Sequence, residues 1–278
     1  MPLGALRHIR KLRGGAQAHL IECSDGHFYV VKYANNPQHR RILVNEWIAS
    51  ALLRHLQIPA PDTAIVELDG KFIEQHPECR MQLGSREILP EPGWHFGSRY
   101  PGHPERLATY DFVPDQLLKQ VHNLTDFLGA LVFDKWTGNA DSRQSVFFRA
   151  QINEWLPAAE AHPRKLGFVA LMIDHGYVFN GPHWELINSP VQGLYTRKSV
   201  YNAVRSVENF QPWLDRVENF PDFVLDGALK TLPPQWLDGD DSDLERVLLQ
   251  LLKRRKRIRD LLADARLAKV NPFANWPL

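Results

Sequence analysis

The run AHLIECSDGHFYVVKY over residues 18–33, followed at once by HRRILVNEWIASALLRHL over 39–56, constrains the fold more than any other part of the chain. In the first run, β-branched and aromatic residues crowd two segments, Ala18 to Cys23 and His27 to Tyr33, around Ser24-Asp25-Gly26. A tight Asp-Gly turn between such segments predicts two antiparallel strands. A shorter strand, His8 to Leu12, precedes them across a turn at Gly14-Gly15. In the second run, apolar residues at 42, 43, 47, 48, 51, 52, 53 and 56 recur at helical spacing, and Pro59 and Pro61 end the segment. Ala64 to Leu68 and Lys71 to Ile73 flank Asp69-Gly70 and predict a further hairpin. The first 75 residues therefore read β-β-β-α-β-β.

Residues 76–110 are rich in Pro, Gly, His and Arg and read as a long irregular stretch centred on GWHFGSRYPGHP, residues 93–104. Long loops in compact domains are often functional. His95 and Arg99 are candidates to reach a binding cleft; equally, Trp94, Phe96 and Tyr100 could anchor the loop to the core. A helix is expected over Leu117 to Lys135, then the polar segment WTGNADSRQSVFFR, a loop rich in Ala and Pro, and a strand over 166–173 (LGFVALMI). The last third reads as mainly helical. One helix is expected from the acidic cluster at Asp240 to about Leu267, its basic run LLKRRKRIRDLL forming a solvated face.

Composition narrows the classes. A chain of 278 residues can bury a sizeable core as one large domain or two lobes. Lys+Arg 33 against Asp+Glu 32 leaves a net charge of +1, so nothing global points to nucleic acid or anionic membranes. No run approaches the about 18 apolar residues of a membrane-spanning helix. Two cysteines, Cys23 and Cys79, are too few for a disulfide framework, which favours a reducing cytoplasm. They lack metal-ligand spacing, and no His-x-x-x-His pair lies on a convincing helix among the 12 histidines, so zinc is not expected.

Four features then fall in a suggestive order: the glycine turn Gly14-Gly15-Ala16-Gln17, the strand lysine Lys32, the helix glutamate Glu46 fourteen residues on, and two late acidic motifs, Asn139-Ala140-Asp141 and Ile173-Asp174-His175-Gly176. Taken singly each is ordinary. A Gly-Gly pair is usually only a turn, a strand Lys usually reaches solvent, and an Asp before Gly usually forms a turn. Together they match what phosphoryl transfer from ATP requires: backbone close to the phosphates, a Lys to neutralise them, a Glu to hold the Lys, one Asp near the attacking hydroxyl and one on magnesium. Asp134 is a rival to Asp141, but its place at the end of the expected helix reads as a cap or structural acid, and Asn139 reads as a brace for the loop.

The motifs WTGNADSRQSVFFR and IDHG, with GGAQAHLI, VVKY and NEW upstream, resemble the HipA-like kinase domain family over roughly residues 8 to 230, and its compact stand-alone branch in particular. The NxD loop and Asp-x-Gly pair are similar, more distantly, to those of phosphoinositide kinases. The resemblance implies an α+β, two-lobed protein-kinase-like fold: a β-rich N-lobe with one helix over residues 1–112 and a mainly helical C-lobe over 113–278. It implies ATP and Mg²⁺ as cofactors, Lys32 as the phosphate-binding lysine, Glu46 as its ion-pair partner, Asp141 as the catalytic aspartate and Asp174 as the metal-binding one. Gly14, Gly15, Ala16 and Gln17 would cover the phosphates. Many relatives carry an Asn five residues after the catalytic Asp; here that position is Val146, and either Gln144 or Ser145 supplies the oxygen, with Gln144 preferred, or the second metal site is degraded. The phosphoacceptor, a protein Ser/Thr or a small-molecule hydroxyl, is not legible. Nucleotidyl transfer on the same fold, and a pseudokinase that binds nucleotide without turnover, stay open alternatives.

Overall fold

The structure, a computed structural model, describes residues 1–156, 165–269 and 271–277. Three strands open it: β1 (Leu3–Lys11), β2 (His19–Cys23) and β3 (Phe28–Lys32), paired antiparallel in sequence order. Helix α1 (Arg41–Leu56) follows, then β4 (Thr63–Leu68). To this point the expected order holds, with β1 starting five residues earlier than the pattern suggested.

The expected hairpin at Asp69-Gly70 is not formed. Asp69 is instead the N-cap of α2 (Gly70–Gln75), its carboxylate accepting the Phe72 N–H at 2.7 Å. The same residue type that starts a turn also satisfies the first free N–H groups of a helix, and no neighbouring strand was available to pair Lys71 to Ile73. Asp69→Ala is expected to cost about 1 kcal/mol, read as a shift in the urea midpoint without a change in slope.

The stretch expected to be irregular is mostly ordered. A short turn at Pro77–Cys79 leads to β5 (Met81–Leu83) and β6 (Arg86–Ile88), which pair with each other. Then comes β7 (Gly93–Arg99), which lies between β3 and β4 and closes a barrel of order β1-β2-β3-β7-β4, with β4 parallel to β1 at the seam. Pro and Gly around it hide its strand character. Two flanking ladders supply it, and Gly97 is required because a Cβ there would stand 2.7 Å from the Val66 side chain and 3.3 Å from the Tyr29 ring. His95 is buried in this strand, accepting the Ala34 N–H on Nδ1 and meeting the Glu91 carbonyl with Nε2, each at 3.0 Å. Arg99 reaches the His27 ring and lies 3.8 Å from Asp62. The His95 ring, with both nitrogens occupied, is therefore structural, the Arg99 side chain stays half-exposed at the strand end, and Trp94 and Phe96 belong to the barrel wall.

Residue pair β8 (Thr109–Tyr110) joins a second sheet of order β10-β9-β8. The expected helix over 117–135 splits into α3 (Asp115–Leu118) and α4 (Asp126–Thr137). Between them Val121 bridges to Phe168, and the Asn123 amide bonds both Ala170 N–H and Ala170 C=O, at 2.9 and 2.8 Å. The His122 N–H also goes to the Phe168 carbonyl at 2.9 Å, so a backbone donor here pairs with a strand instead of continuing the helix. Strand β9 (Gln144–Gln151) runs into α5 (Ile152–Trp155) and pairs with β10 (Leu166–Ile173) from Gln144↔Ile173 to Gln151↔Leu166. The expected Ala- and Pro-rich loop between them lies largely outside the described residues.

The remainder is helical: α6 (Trp213–Glu218), α7 (Phe223–Thr231), α8 (Asp241–Arg254) and α9 (Ile258–Arg266). The single expected C-terminal helix is broken by a tight turn at Arg255–Arg257. Its basic run is only partly a solvated face. Arg254 is buried and donates to the Lys135 carbonyl, Arg255 reaches the Phe220 carbonyl, and Arg259 pairs with Glu218 and Glu208.

Besides a minor apolar cluster of Phe148, Val169 and Leu171 on β9 and β10, the described residues form two larger cores. The smaller fills the barrel with Ile21, Val31, Val66, Leu68 and Met81. The larger surrounds α4 through Phe127, Leu131, Phe133 and Trp136, and it takes in the apolar face of α1 from Leu43 to Leu56. Helix α1 thus stands at the junction of a β-rich lobe and a mainly helical one, and this position sets the site.

Candidate active site

Lys32 is the last residue of β3, opposite Phe96 of β7. Its side chain is almost fully buried. The ammonium is held between two carboxylates, Glu46 Oε1 at 2.5 Å and Asp174 Oδ1 at 2.6 Å. These partners come from 14 and 142 residues away in sequence. Burial alone would drive the lysine neutral; the charges of Asp174 and Glu46 reverse this and raise its pKa above the ordinary value. Asp174 moves the other way, held below the usual carboxylate range chiefly by the Lys32 charge. Burial pushes Glu46 up, against the pull of the same lysine.

Helix α1 grips the far side. Glu46 Oε1 also accepts the His175 N–H at 3.0 Å. Asn45, fully buried, donates to the carbonyls of Gly176, Val178 and Gly181 and accepts the Trp184 indole N–H at 2.8 Å. Gly176 lets the two backbones approach, since a Cβ there would meet Ile42 Cγ2 at 2.5 Å. Asp174 itself takes a left-handed conformation, φ 58°, which Asp tolerates better than most residues. That turn sends its carboxylate toward Lys32, and its Oδ2 accepts no hydrogen bond among the described residues.

Asp141 lies on the loop after α4, which ends at Gly138 with φ 63°. Asn139 braces this loop: it donates to Asp134 Oδ1 at 2.8 Å and accepts the Asp141 N–H at 3.1 Å. The Asp141 side chain is exposed, accepting the Ser142 N–H at 2.7 Å and the Gln144 amide at 3.3 Å. Asp134 is fully buried instead, as the partner of Arg143. Arg143 is the residue that joins the two acidic motifs. It pairs with Asp134 through Nε and Nη2, while Nη1 donates to the Ile173 carbonyl at 2.9 Å and to His175 Nδ1 at 3.0 Å. Burial and the Arg143 charge hold His175 neutral, so Nδ1 accepts and Nε2 donates to the Met172 carbonyl.

The structure therefore gathers Lys32, Glu46 and Asp174 into direct contact. Asp141 and Gln144 touch each other but not that triad; they are tied to it through Arg143 and through the Gln144–Ile173 register pair. The glycine turn reaches the site indirectly. Gly15 lies against Gln38, close enough that a Cβ would stand 2.4 Å from its amide nitrogen, and Gln38 donates to the Tyr177 hydroxyl at 3.3 Å. Ala16 is buried, and the Gln17 amide is occupied by Lys11 and the Gln82 backbone, so Gln17 offers a ligand only main-chain atoms. Sequence reasoning missed Asn45, Arg143 and His175. Asn45 carried a signal: it shares a helical stripe with Ile48, Ala49, Leu52 and Leu56, where an amide must serve a purpose. Arg143 carried none, because nothing local says that its partner is Asp134.

A family model described as HipA-like kinase matches residues 7–265. No curated protein matches the chain. Among solved structures, the chain is similar to the Golgi casein kinase, with a TM-score of 0.49 and 10% identity over 100% of this chain and 75% of that one. A second structure of the Golgi casein kinase, with Mn/ADP bound, gives 0.48 and 10% over 96% and 73%.

Proposed function

The chain belongs to the HipA-like kinase family, and from that premise we propose that it moves the γ-phosphoryl group of ATP, with Mg²⁺, onto a hydroxyl of a protein Ser/Thr or a small molecule. The observation that carries the reading is the contact of one buried ammonium with two carboxylates from distant segments. Burying the Lys32 ammonium and the Glu46 carboxylate costs several kcal/mol per ion before their attraction is counted, while Asp174 keeps one side open to solvent, and such clusters concentrate at functional sites.

On this reading Lys32 neutralises phosphate oxygens while Glu46 keeps it in place. Asp141, exposed at the loop tip, orients the acceptor hydroxyl and takes its proton as the new oxygen–phosphorus bond forms and ADP departs. The free Oδ2 of Asp174 and the Gln144 carbonyl, which accepts no hydrogen bond among the described residues, fit the oxygen preference of Mg²⁺. A bound Mg²⁺ would supply positive charge beside the phosphates. Arg143 keeps the loops carrying Asp141 and Asp174 at a constant spacing.

The test is ATP labelled at either the α- or the γ-phosphate. Label passing from γ supports the reading; label passing from α alone replaces it with nucleotidyl transfer. In the wild type, ATP at about 100 times its Kd should raise the melting temperature by on the order of 5 °C when Mg²⁺ is present. Asp174→Ala should lose the Mg²⁺-dependent part of that shift. An equal shift in both proteins would remove Asp174 from the metal site.

A further inference from the structure

A second cluster lies at the edge of the barrel, outside the site above. His8 of β1 pairs across from Ile21, and His19 stands two residues along on the same strand as Ile21, so the two imidazoles are diagonal neighbours on one face. The turn after α2 brings Cys79 against them. One ligand atom from each of His8, His19 and Cys79 lies within 4.8 Å of the others.

The hydrogen bonds give each ring a direction. His8 Nδ1 faces Glu78 Oε1 at 3.3 Å, and that carboxylate also meets His76 Nδ1 at 3.0 Å. A carboxylate on one nitrogen of a histidine keeps the proton there and turns the other lone pair to a ligand, the usual outer support of a metal-binding His. His8 Nε2 is then the acceptor toward His19 Nδ1, 3.0 Å away. In that arrangement the lone pair of His19 Nε2 is unmet. His19 is fully buried, and its Nε2 has no hydrogen-bond partner among the described residues. A buried ring nitrogen without a partner asks for a ligand. Tyr33 stacks on His19 at 5.1 Å and shuts the inner side.

We propose that His8, His19 and Cys79 bind one divalent transition-metal ion, with Zn²⁺ the best match to two imidazoles and a thiolate. On binding, the Cys79 thiol gives its proton to solvent and its sulfur to the metal. Three protein ligands leave a fourth position for water. The ion staples the turn at Pro77–Cys79 to the first two strands. That turn already meets the glycine turn, since Lys11 donates to both the Gln17 amide and the Arg80 carbonyl, and Gln17 bonds the Gln82 backbone. The metal therefore braces the segment that carries Gly14 and Gly15, and its binding does not depend on the kinase reading.

The test is metal content and Zn²⁺ titration of the full chain. Wild type and Cys23→Ala, whose thiol lies outside the cluster, should each hold one Zn²⁺ per chain after gel filtration. Cys79→Ser and His19→Gln should bind at least tenfold more weakly. Co²⁺ loaded in place of Zn²⁺ should give a thiolate-to-cobalt charge-transfer band that Cys79→Ser lacks. A wild-type chain that takes up no Zn²⁺ by calorimetry and shows no such band with Co²⁺ overturns the proposal, and so does Zn²⁺ retained undiminished by both variants. The wild-type measurements decide it even if a variant fails to fold.

Discussion

Asp141→Asn should lower phosphoryl transfer by about 1,000-fold while leaving ATP affinity nearly unchanged. The physical reason is where the carboxylate stands. It touches Ser142 and Gln144 and makes no contact with Lys32, Glu46 or Asp174, so removing its charge leaves the ammonium and its two partners intact. It is exposed, and its two contacts are local, so the fold loses little. A group that acts on the acceptor's proton matters in the transition state and hardly at all for bound ATP. Single-turnover rates beside equilibrium nucleotide binding check this. Wild-type turnover by the variant would take Asp141 out of the chemistry.

Asp134→Ala should do the opposite: it should unfold the protein more readily, by roughly 3–5 kcal/mol, a fall in melting temperature on the order of 10 °C. Asp134 is the buried counter-charge of Arg143, and both side chains are sealed from water. Removing the acid strands a guanidinium in the core, where the loss of its partner outweighs anything gained by relaxation. Replacing both, as Asp134→Ala with Arg143→Met, should recover part of the stability, because the uncompensated charge is gone. Activity should not return, since the hydrogen bonds from Arg143 to Ile173 and His175 that join the two acidic loops go with it. Differential scanning calorimetry and a transfer assay on the three proteins separate the effects. A melting temperature unmoved by Asp134→Ala would mean that the pair contributes nothing to the fold.

The two aspartates differ by seven positions and show how far local pattern reaches. Both sit in one polar segment, and the helical run before it already pointed to Asp134 as the structural member, which its burial bears out. The identity of its partner was hidden, because an ion pair depends on how α4 and the following loop fold back. The early strands and α1 were legible for a similar reason: alternation and helical spacing are properties of neighbouring residues. Strand β7 was not. Gly93, Gly97 and the prolines beyond it read as a loop, and only β3 and β4 on either side make it a strand. The helix over 117–135 failed where the His122 N–H was taken by the Phe168 carbonyl of β10 and the Asn123 amide by Ala170.

By itself the sequence determined the kinds of element and their order as far as β4, and it marked Lys32, Glu46 and Asp174 as residues of the right type in the right succession. Tertiary structure alone decided that these three touch, that β7 closes the barrel, and that His8, His19 and Cys79 face one another across 71 positions of chain. Periodicity is written within about one helical turn or a strand's length, whereas a pair of side chains from distant segments meets only when the ladders and cores between them have formed.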